Sequence, residues 1–335
     1  MTTFNTVLTD TFGRKHNYLR ISLIEKCNLR CTYCMPADGI QLSPKKDLMT
    51  ADEIFLIAQN FVNLGVTKIR LTGGEPLLRK DFSEICSKLS QLNIDLSITT
   101  NGILVDRYLE VLKDTNILNI NLSLDTLIES KFNSITLRDQ FDKVFSNLNL
   151  LIGNGFKVKI NVVLIRGFND NEIINFIKLA EFSPISIRFI EFMPFAGNEW
   201  DKSKMISERE ILDQVNDNFL SENVLKLNDE KNFTARKFQI KNFVGDFGII
   251  SSITNPFCDG CNRIRLTANG KIKNCLFSND ETDLLTSFRN GENLNELIAN
   301  SLKNKHKVRS GMTTESKMND PKLHFENRSM IAIGG

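Results

Sequence analysis

The sequence predicts an α/β fold, a parallel sheet with helices outside it, joined to a smaller C-terminal α+β region. Three observations carry this. Short β-branched runs alternate with amphipathic helical stretches from about residue 18 to about 217. After about Asn223 the rhythm changes, and strand-like runs follow one another without helices between them. The 335 residues are 41% hydrophobic and 24% charged, which excludes a disordered chain and supplies a full-size core.

Tyr18–Ile24 reads as the first strand. Thr50-Ala51-Asp52-Glu53 is a capping box, and Ile54, Phe55, Ile57, Ala58, Phe61 and Val62 behind it form one apolar helix face. Lys68–Leu71 is the next strand, closed by Gly73-Gly74-Glu75-Pro76. A helix over Asp81–Leu92 has Asp81 and Glu84 at capping-box spacing, and Asp95–Thr99 is a strand ended by Asn101-Gly102. Strand Ile117–Ser123, helix Asp139–Asn154, strand Val158–Leu164, helix Asn171–Phe182, strand Ile185–Phe192 and a helix near Ser207–Asn218 complete six units. Six units fall short of the usual eight-stranded closed barrel. A partly open barrel and a doubly wound sheet both fit, and in either ligands bind at the carboxyl ends of the strands. Beyond, Phe233–Ile240 and Phe247–Ile250 read as strands. Arg263–Thr267 and Lys271–Leu276 flank Ala268-Asn269-Gly270 as a hairpin, and helices follow near Glu281–Phe288 and Leu294–Asn304.

Lys plus Arg is 42 and Asp plus Glu is 40, so a whole-protein polyanion binder, a nucleic-acid binder included, is not expected. No apolar run approaches a membrane span, and the first 30 residues hold no signal-peptide core, so the expected compartment is the cytoplasm. The seven cysteines are then a poor disulfide framework. Six of them form two triplets. Cys27, Cys31 and Cys34, spaced C-x3-C-x2-C at the end of the first strand, suit a [4Fe–4S] cluster with one iron left open. Cys258, Cys261 and Cys275, spaced C-x2-C-x13-C, are again three ligands without an evident fourth, the third on the second arm of the hairpin. A zinc site completed by a distant His is the alternative reading of that spacing. Cys86 lies within a helix and reads as a core thiol.

Charge placement adds a separate signal. Arg20, Arg70, Lys159 and Arg188 lie inside expected strands one, two, five and six, where a helix-covered parallel sheet should be apolar. Arg263 and Arg265 share one strand face. Six cations converging on a wet cavity suit a triphosphate. Two glycines at Gly73-Gly74 let backbone approach a ligand, and the Glu75 carboxylate there can accept from an ammonium.

The segment Glu25-Lys26-Cys27-Asn28-Leu29-Arg30-Cys31-Thr32-Tyr33-Cys34, with Gly73-Gly74-Glu75-Pro76, resembles the motifs of radical S-adenosylmethionine (SAM) enzymes. Asn255-Pro256-Phe257-Cys258-Asp259-Gly260-Cys261-Asn262-Arg263-Ile264-Arg265 with Cys275-Leu276-Phe277 is similar to the GTP 3′,8-cyclase family, the molybdenum cofactor biosynthesis protein A family. Asp10-Thr11-Phe12-Gly13-Arg14, Tyr18-Leu19-Arg20-Ile21-Ser22 and the terminal Gly334-Gly335 match it too, so the resemblance covers essentially the whole chain. It implies a partial (βα)6 radical SAM barrel over residues 11–222. It also implies a C-terminal region over 223–335 that carries a second iron–sulfur cluster and a Gly-Gly tail threaded into the cavity. Two [4Fe–4S] clusters and SAM are the implied cofactors. Cys27, Cys31 and Cys34 would hold the first cluster and Cys258, Cys261 and Cys275 the second. Tyr33, Gly74, Ser123 and Met193 match SAM contacts, with Glu75 and Asp125 in the same motifs. Arg20, Arg70, Thr99, Lys159, Arg188, Arg263 and Arg265 match GTP contacts.

The implied reaction is a lyase-class cyclisation. A 5′-deoxyadenosyl radical takes hydrogen from C3′ of GTP, and the product is 3′,8-cyclo-7,8-dihydro-GTP, in the first step of molybdenum cofactor biosynthesis. The implied partners are a flavodoxin-like reductant, a downstream cyclic pyranopterin monophosphate synthase and a second copy of the chain. Another dual-cluster radical SAM enzyme, such as a peptide maturase, is the alternative, and a zinc-binding module the non-enzymatic one. Two departures flank the site. Ile24-Glu25-Lys26 stands where the family often has Thr-Asp and a basic residue, and Leu137 where Gly is common.

Overall fold

In a computed structural model the strand runs pair in the order in which they occur. The structure describes residues 8–334 except 199, 230, 321, 322 and 324–326. Strands β1 (Tyr18–Ser22), β2 (Lys68–Thr72), β3 (Asp95–Thr100), β4 (Asn119–Ser123), β5 (Lys157–Leu164) and β6 (Ser186–Glu191) are consecutive parallel neighbours. This is the partly open barrel rather than the doubly wound sheet, because the order never reverses.

The C-terminal strands make no sheet of their own. They extend both edges of the barrel sheet, giving twelve strands in the order β12-β11-β10-β1-β2-β3-β4-β5-β6-β9-β8-β7. β10 (Arg263–Leu266) lies parallel to β1, and β9 (Asp246–Ile250) lies parallel to β6. Antiparallel β11 (Lys271–Lys273) and β12 (Thr282–Asp283) finish one edge, and β8 (Arg236–Ile240) and β7 (Val224–Lys226) the other. The expected division at 222/223 therefore marks a change of rhythm but not a break in the sheet.

The helices that cover the sheet include α1 (Ala51–Asn63), α2 (Phe82–Leu89), α3 (Val105–Asp114), α4 (Glu129–Thr136), α5 (Phe141–Gly153), α6 (Ile173–Lys178) and α7 (Glu208–Phe219). Thr50 and Glu53 close the capping box expected for α1, with Glu53 N–H donating to Thr50 Oγ1 at 3.2 Å and Thr50 N–H donating to the Glu53 carboxylate at 2.8 Å. The box expected at Asp81 does not form. Arg79 takes the Asp81 carboxylate instead, with contacts of 2.6 and 3.0 Å. The expected helix over Asn171–Phe182 shortens to a 3-10 turn and α6. Leu137, which departs from the family's Gly, has φ +53° and is exposed. That left-handed backbone is the reason Gly suits the position, and a leucine there carries about 1–2 kcal/mol of strain.

The N-terminal segment is tied down by one carboxylate. Asp10 accepts from Arg14 Nε at 2.6 Å and lies 3.0 Å from His16 Nε2. His16 is buried, its Nδ1 has no partner, and burial with Lys305 nearby lowers its pKa to about 4. Its neutral form thus adds stability that is complete above pH 6.5 and lost as pH falls toward 4. The iron-free chain is expected to lose about 2 kcal/mol of unfolding free energy between pH 7.5 and 5 on this account. Denaturant titration of the native chain and of His16→Gln at both pH values checks this: the variant should show a flatter pH dependence. Among the described residues no helix is long and apolar enough to cross a membrane.

Candidate active site

Strand alternation builds the site. On the inner face of β1 and β2 stand Tyr18, Arg20, Lys68 and Arg70, while Leu19, Ile21, Ile69 and Leu71 between them are fully buried in the apolar core. Such alternation is foreign to a parallel sheet packed on both faces and marks a polar interior. Register places the charges side by side: Arg265, Arg20 and Arg70 form one row across β10, β1 and β2, and Arg263, Tyr18 and Lys68 form the next. On the far wall Arg188 lies level with Asn161, and Lys159 with Asn121.

The six cations singled out from sequence, Arg20, Arg70, Lys159, Arg188, Arg263 and Arg265, all line one cavity of about 330 Å³. Cys258, Cys261 and Cys275 line the same cavity. Cys275 lies two residues beyond the end of β11, in a turn, and not on the hairpin arm expected for it. A second cavity of about 160 Å³ is lined by Cys27, Tyr33, Cys31, Cys34, Gly74, Ser123 and Asp125. Thr99, Asn161, Val163, Ile190 and Met330 line both, so the two chambers share a wall.

The larger cavity is short of acceptors. Arg20 Nε, Arg263 Nη2, Arg265 Nε and Arg309 Nε are buried on its wall without a hydrogen-bond partner. Arg20, Lys68 and Arg70 crowd the Tyr18 ring at 5.5–5.8 Å, and Arg263 lies 4.9 Å over Phe257. Burial lowers the Arg70 pKa to about 10, and Arg20, Arg188 and Arg263 push the same way. Burial and then Arg20 lower Arg265 to about 9. The wall thus crowds buried cations against one another, and a polyanion with many acceptor oxygens suits it.

The smaller cavity has the opposite character. Tyr33 Oη–H donates to Asp125 at 2.7 Å, and Val163 N–H donates to the other Asp125 oxygen at 2.8 Å. Burial raises Asp125 to about 6 and raises the three thiols. The thiols act on one another electrostatically, as groups facing one small volume do, and Asn101 Nδ2 reaches Cys27 Sγ at 3.7 Å. Among the described residues no three Cys, His, Asp or Glu converge tightly enough to hold a single metal ion, so the four-ligand zinc geometry is not formed. Three thiols around a chamber wall suit a larger inorganic cluster, and this holds for both triplets.

Two residues do not stand where the sequence put them. Glu75 lines neither cavity. It is fully buried, and its carboxylate accepts from Leu77 N–H at 3.0 Å, Thr100 Oγ1–H at 2.8 Å and Asn101 N–H at 2.7 Å, tying the end of β2 to the end of β3. Met193 lines the larger cavity and not the one holding Tyr33. Sequence reasoning also missed Lys68, Tyr18, Asn161 and Arg309 on the larger wall. Lys68 was findable, two residues before Arg70 and therefore on its strand face. Cys86 is fully buried on α2 and takes part in neither triplet.

The glycines fix how closely backbones meet. Gly74 N–H donates to Ile24 O at 2.7 Å and Glu75 N–H to Lys26 O at 2.8 Å. These bonds anchor the divergent Ile24-Glu25-Lys26 loop by its main chain, and the Glu25 carboxylate adds bonds from Ser43 N–H at 2.7 Å and Ser43 Oγ–H at 2.9 Å. A Cβ on Gly74 would lie 2.3 Å from Lys26 O and 2.6 Å from its carbon. Gly74→Ala is expected to cost about 3 kcal/mol or more, since neither backbone can yield cheaply. Thermal unfolding together with the iron content bound by the first triplet checks it. Of the C-terminal segment, residues before the Gly-Gly pair line the site, while Gly334 lines neither cavity. Met330 and Ile331 line the smaller cavity, and a Cβ on Gly334, at φ +75°, would meet Thr72 Oγ1 at 2.2 Å. Gly335 lies outside the described residues.

Comparison with known proteins places this geometry. The Radical SAM superfamily model matches residues 21–180, and the Molybdenum Cofactor Synthesis C model matches residues 185–310. GTP 3′,8-cyclase, mitochondrial, of Arabidopsis thaliana is 45% identical over 98% of this chain and 84% of that protein. GTP 3′,8-cyclase of Alkaliphilus oremlandii (strain OhILAs) is 40% identical over 98% of this chain and 100% of that protein. Molybdenum cofactor biosynthesis protein 1 of Mus musculus is 44% identical over 99% of this chain, which spans 52% of that relative. Among solved structures, Streptococcus suis SuiB bound to S-adenosylmethionine superposes with a TM-score of 0.60 at 17% identity, over 94% of this chain and 77% of that one.

Proposed function

Since the chain belongs to the GTP 3′,8-cyclase family of radical SAM enzymes, we propose that it converts GTP to 3′,8-cyclo-7,8-dihydro-GTP at the start of molybdenum cofactor biosynthesis. The observation that carries this is the pair of adjoining chambers, one lined by the first cysteine triplet and one by the second triplet with six cations. When bound, the clusters and SAM supply one-electron chemistry that cleaves SAM and starts hydrogen abstraction from the nucleotide.

The protein's own part is position and charge. Cys27, Cys31 and Cys34 would hold the first cluster. Gly74 main chain, Ser123, Asp125 and Tyr33 would hold SAM, and Glu75 acts behind them by fixing the two strand ends. Arg20, Arg70, Lys159, Arg188, Arg263 and Arg265 would take the triphosphate. Lys68 extends that set, because it stands in the same register row as Arg263 and Tyr18. Cys258, Cys261 and Cys275 would hold the second cluster beside the nucleotide. Thr99, Asn161 and Met330 on the shared wall stand where the two ligands would meet, and Met193 stands on the nucleotide side. No side-chain proton carrier is required for the opening hydrogen transfer.

The functional division is residues 11–222 for SAM and 223–335 for the second cluster and part of the nucleotide site. A flavodoxin-like reductant, a downstream cyclic pyranopterin monophosphate synthase, a homodimer and a cytoplasmic location complete the proposal. Anaerobic incubation of the iron- and sulfide-reconstituted chain with SAM, GTP and a reductant tests it. The expected result is 5′-deoxyadenosine and a cyclised nucleotide, both dependent on GTP. GTP-independent or absent 5′-deoxyadenosine would overturn the reading.

A further inference from the structure

Two chain segments carry the second triplet, the Cys258–Cys261 turn and the Cys275 turn, with β10 between them, and two buried cations pin these three stretches by their main-chain carbonyls. Arg14 Nη1 donates to Cys258 O at 2.9 Å and to Lys307 O at 2.7 Å, and Arg14 Nη2 donates to His306 O at 3.0 Å. Lys305 Nζ donates to Arg263 O at 3.0 Å and to Asn274 O at 2.6 Å, next to Cys275. Residues 305–307 thus form a hub between the Cys258–Cys261 turn, β10 and the Cys275 turn.

The two cations differ in charge balance. Arg14 is neutralised by Asp10 at 2.6 Å. Lys305 is 4% exposed and, among the described residues, bonds only to carbonyls. Isolated ammonium burial is costly unless an anion offsets it. Burial lowers the Lys305 pKa, the thiols of Cys261 and Cys275 oppose that shift, and Arg263 and Arg14 add to it.

We infer that Lys305 is a positioning residue for the second cluster: its ammonium ties β10, which follows the Cys258–Cys261 turn, to the chain at Asn274 beside Cys275, and so sets the spacing of the two cysteine-bearing segments. A cluster's potential follows the net charge and hydrogen bonding around it, so removing a buried cation held at Asn274, beside Cys275, lowers the potential as well as loosening the site. The inference rests on the two-cluster reading above.

The test uses the full chain with Cys27, Cys31 and Cys34 all changed to Ala, so that only the second cluster is seen. Lys305→Met and Lys305→Arg are compared in that background by iron and sulfide content and by a reductive titration followed by electron paramagnetic resonance. The expected result is a lower potential or a loss of iron in Lys305→Met, with Lys305→Arg restoring most of either. Unchanged iron and potential in Lys305→Met, or equal loss in both variants, would overturn the inference. If the background chain with Lys305 intact binds no cluster, the two-cluster reading itself fails, before any variant is compared.

Discussion

Cys34→Ala is expected to reduce GTP-dependent 5′-deoxyadenosine formation roughly a thousandfold or more, to the level seen without protein. The three thiols of the first chamber face one small volume, and no fourth cysteine stands in reserve there. Cys86 is the control. It is fully buried in the apolar core, and burial alone raises its thiol to about 12. Cys86→Ala should leave iron content and turnover intact while costing about 1 kcal/mol of stability. Iron analysis and product chromatography on the two variants separate them, and equal loss of iron in both would refute the assignment of the triplet.

The second large effect concerns Arg265. Its guanidinium is buried among Arg20, Arg263 and the second triplet, and its Nε has no partner. Arg265→Met should weaken GTP binding by roughly 10- to 150-fold, the loss of one charge-assisted contact of about 1.5–3 kcal/mol. The same change should raise the stability of the ligand-free chain by about 1 kcal/mol, because it removes a buried cation that its neighbours repel. Calorimetric titration with GTP and thermal unfolding without it read the two signs independently. A variant that binds GTP normally, or melts lower when free, would contradict the picture of a chamber tuned for a polyanion at the expense of stability.

Much of this was legible in the chain. The six parallel strands are readable because each is a short β-branched run. Their polar alternates could be recognised as cavity residues because a charge inside a parallel strand is costly unless it faces water or an anion. The closing strands were not readable in their roles. β9 and β10 look like ordinary strands, and nothing local says that they lie parallel to β6 and β1. Helix α3 was missed because it begins without a side-chain cap just after the Asn101-Gly102 turn, and α4 because its Ser, Asn and Thr residues are weak helix formers. Glu75 was placed in the right motif with the wrong orientation: sequence shows a carboxylate at a strand end, but not that three donors from the protein claim it first. Lys305 gave no signal, since a lysine after a helix is normally solvated and its burial depends on segments far away in the chain.

The pairing of β10 with β1 has a consequence for how the molecule is made. Arg20 must wait for Arg265 to leave the ribosome, which takes on the order of tens of seconds at ordinary rates of synthesis. During that interval β1 presents one bare, hydrogen-bond-hungry margin beside the segment that carries the first cysteine triplet. A nascent chain in this state is vulnerable to clumping, and metallation before release would fall on a scaffold still lacking one wall.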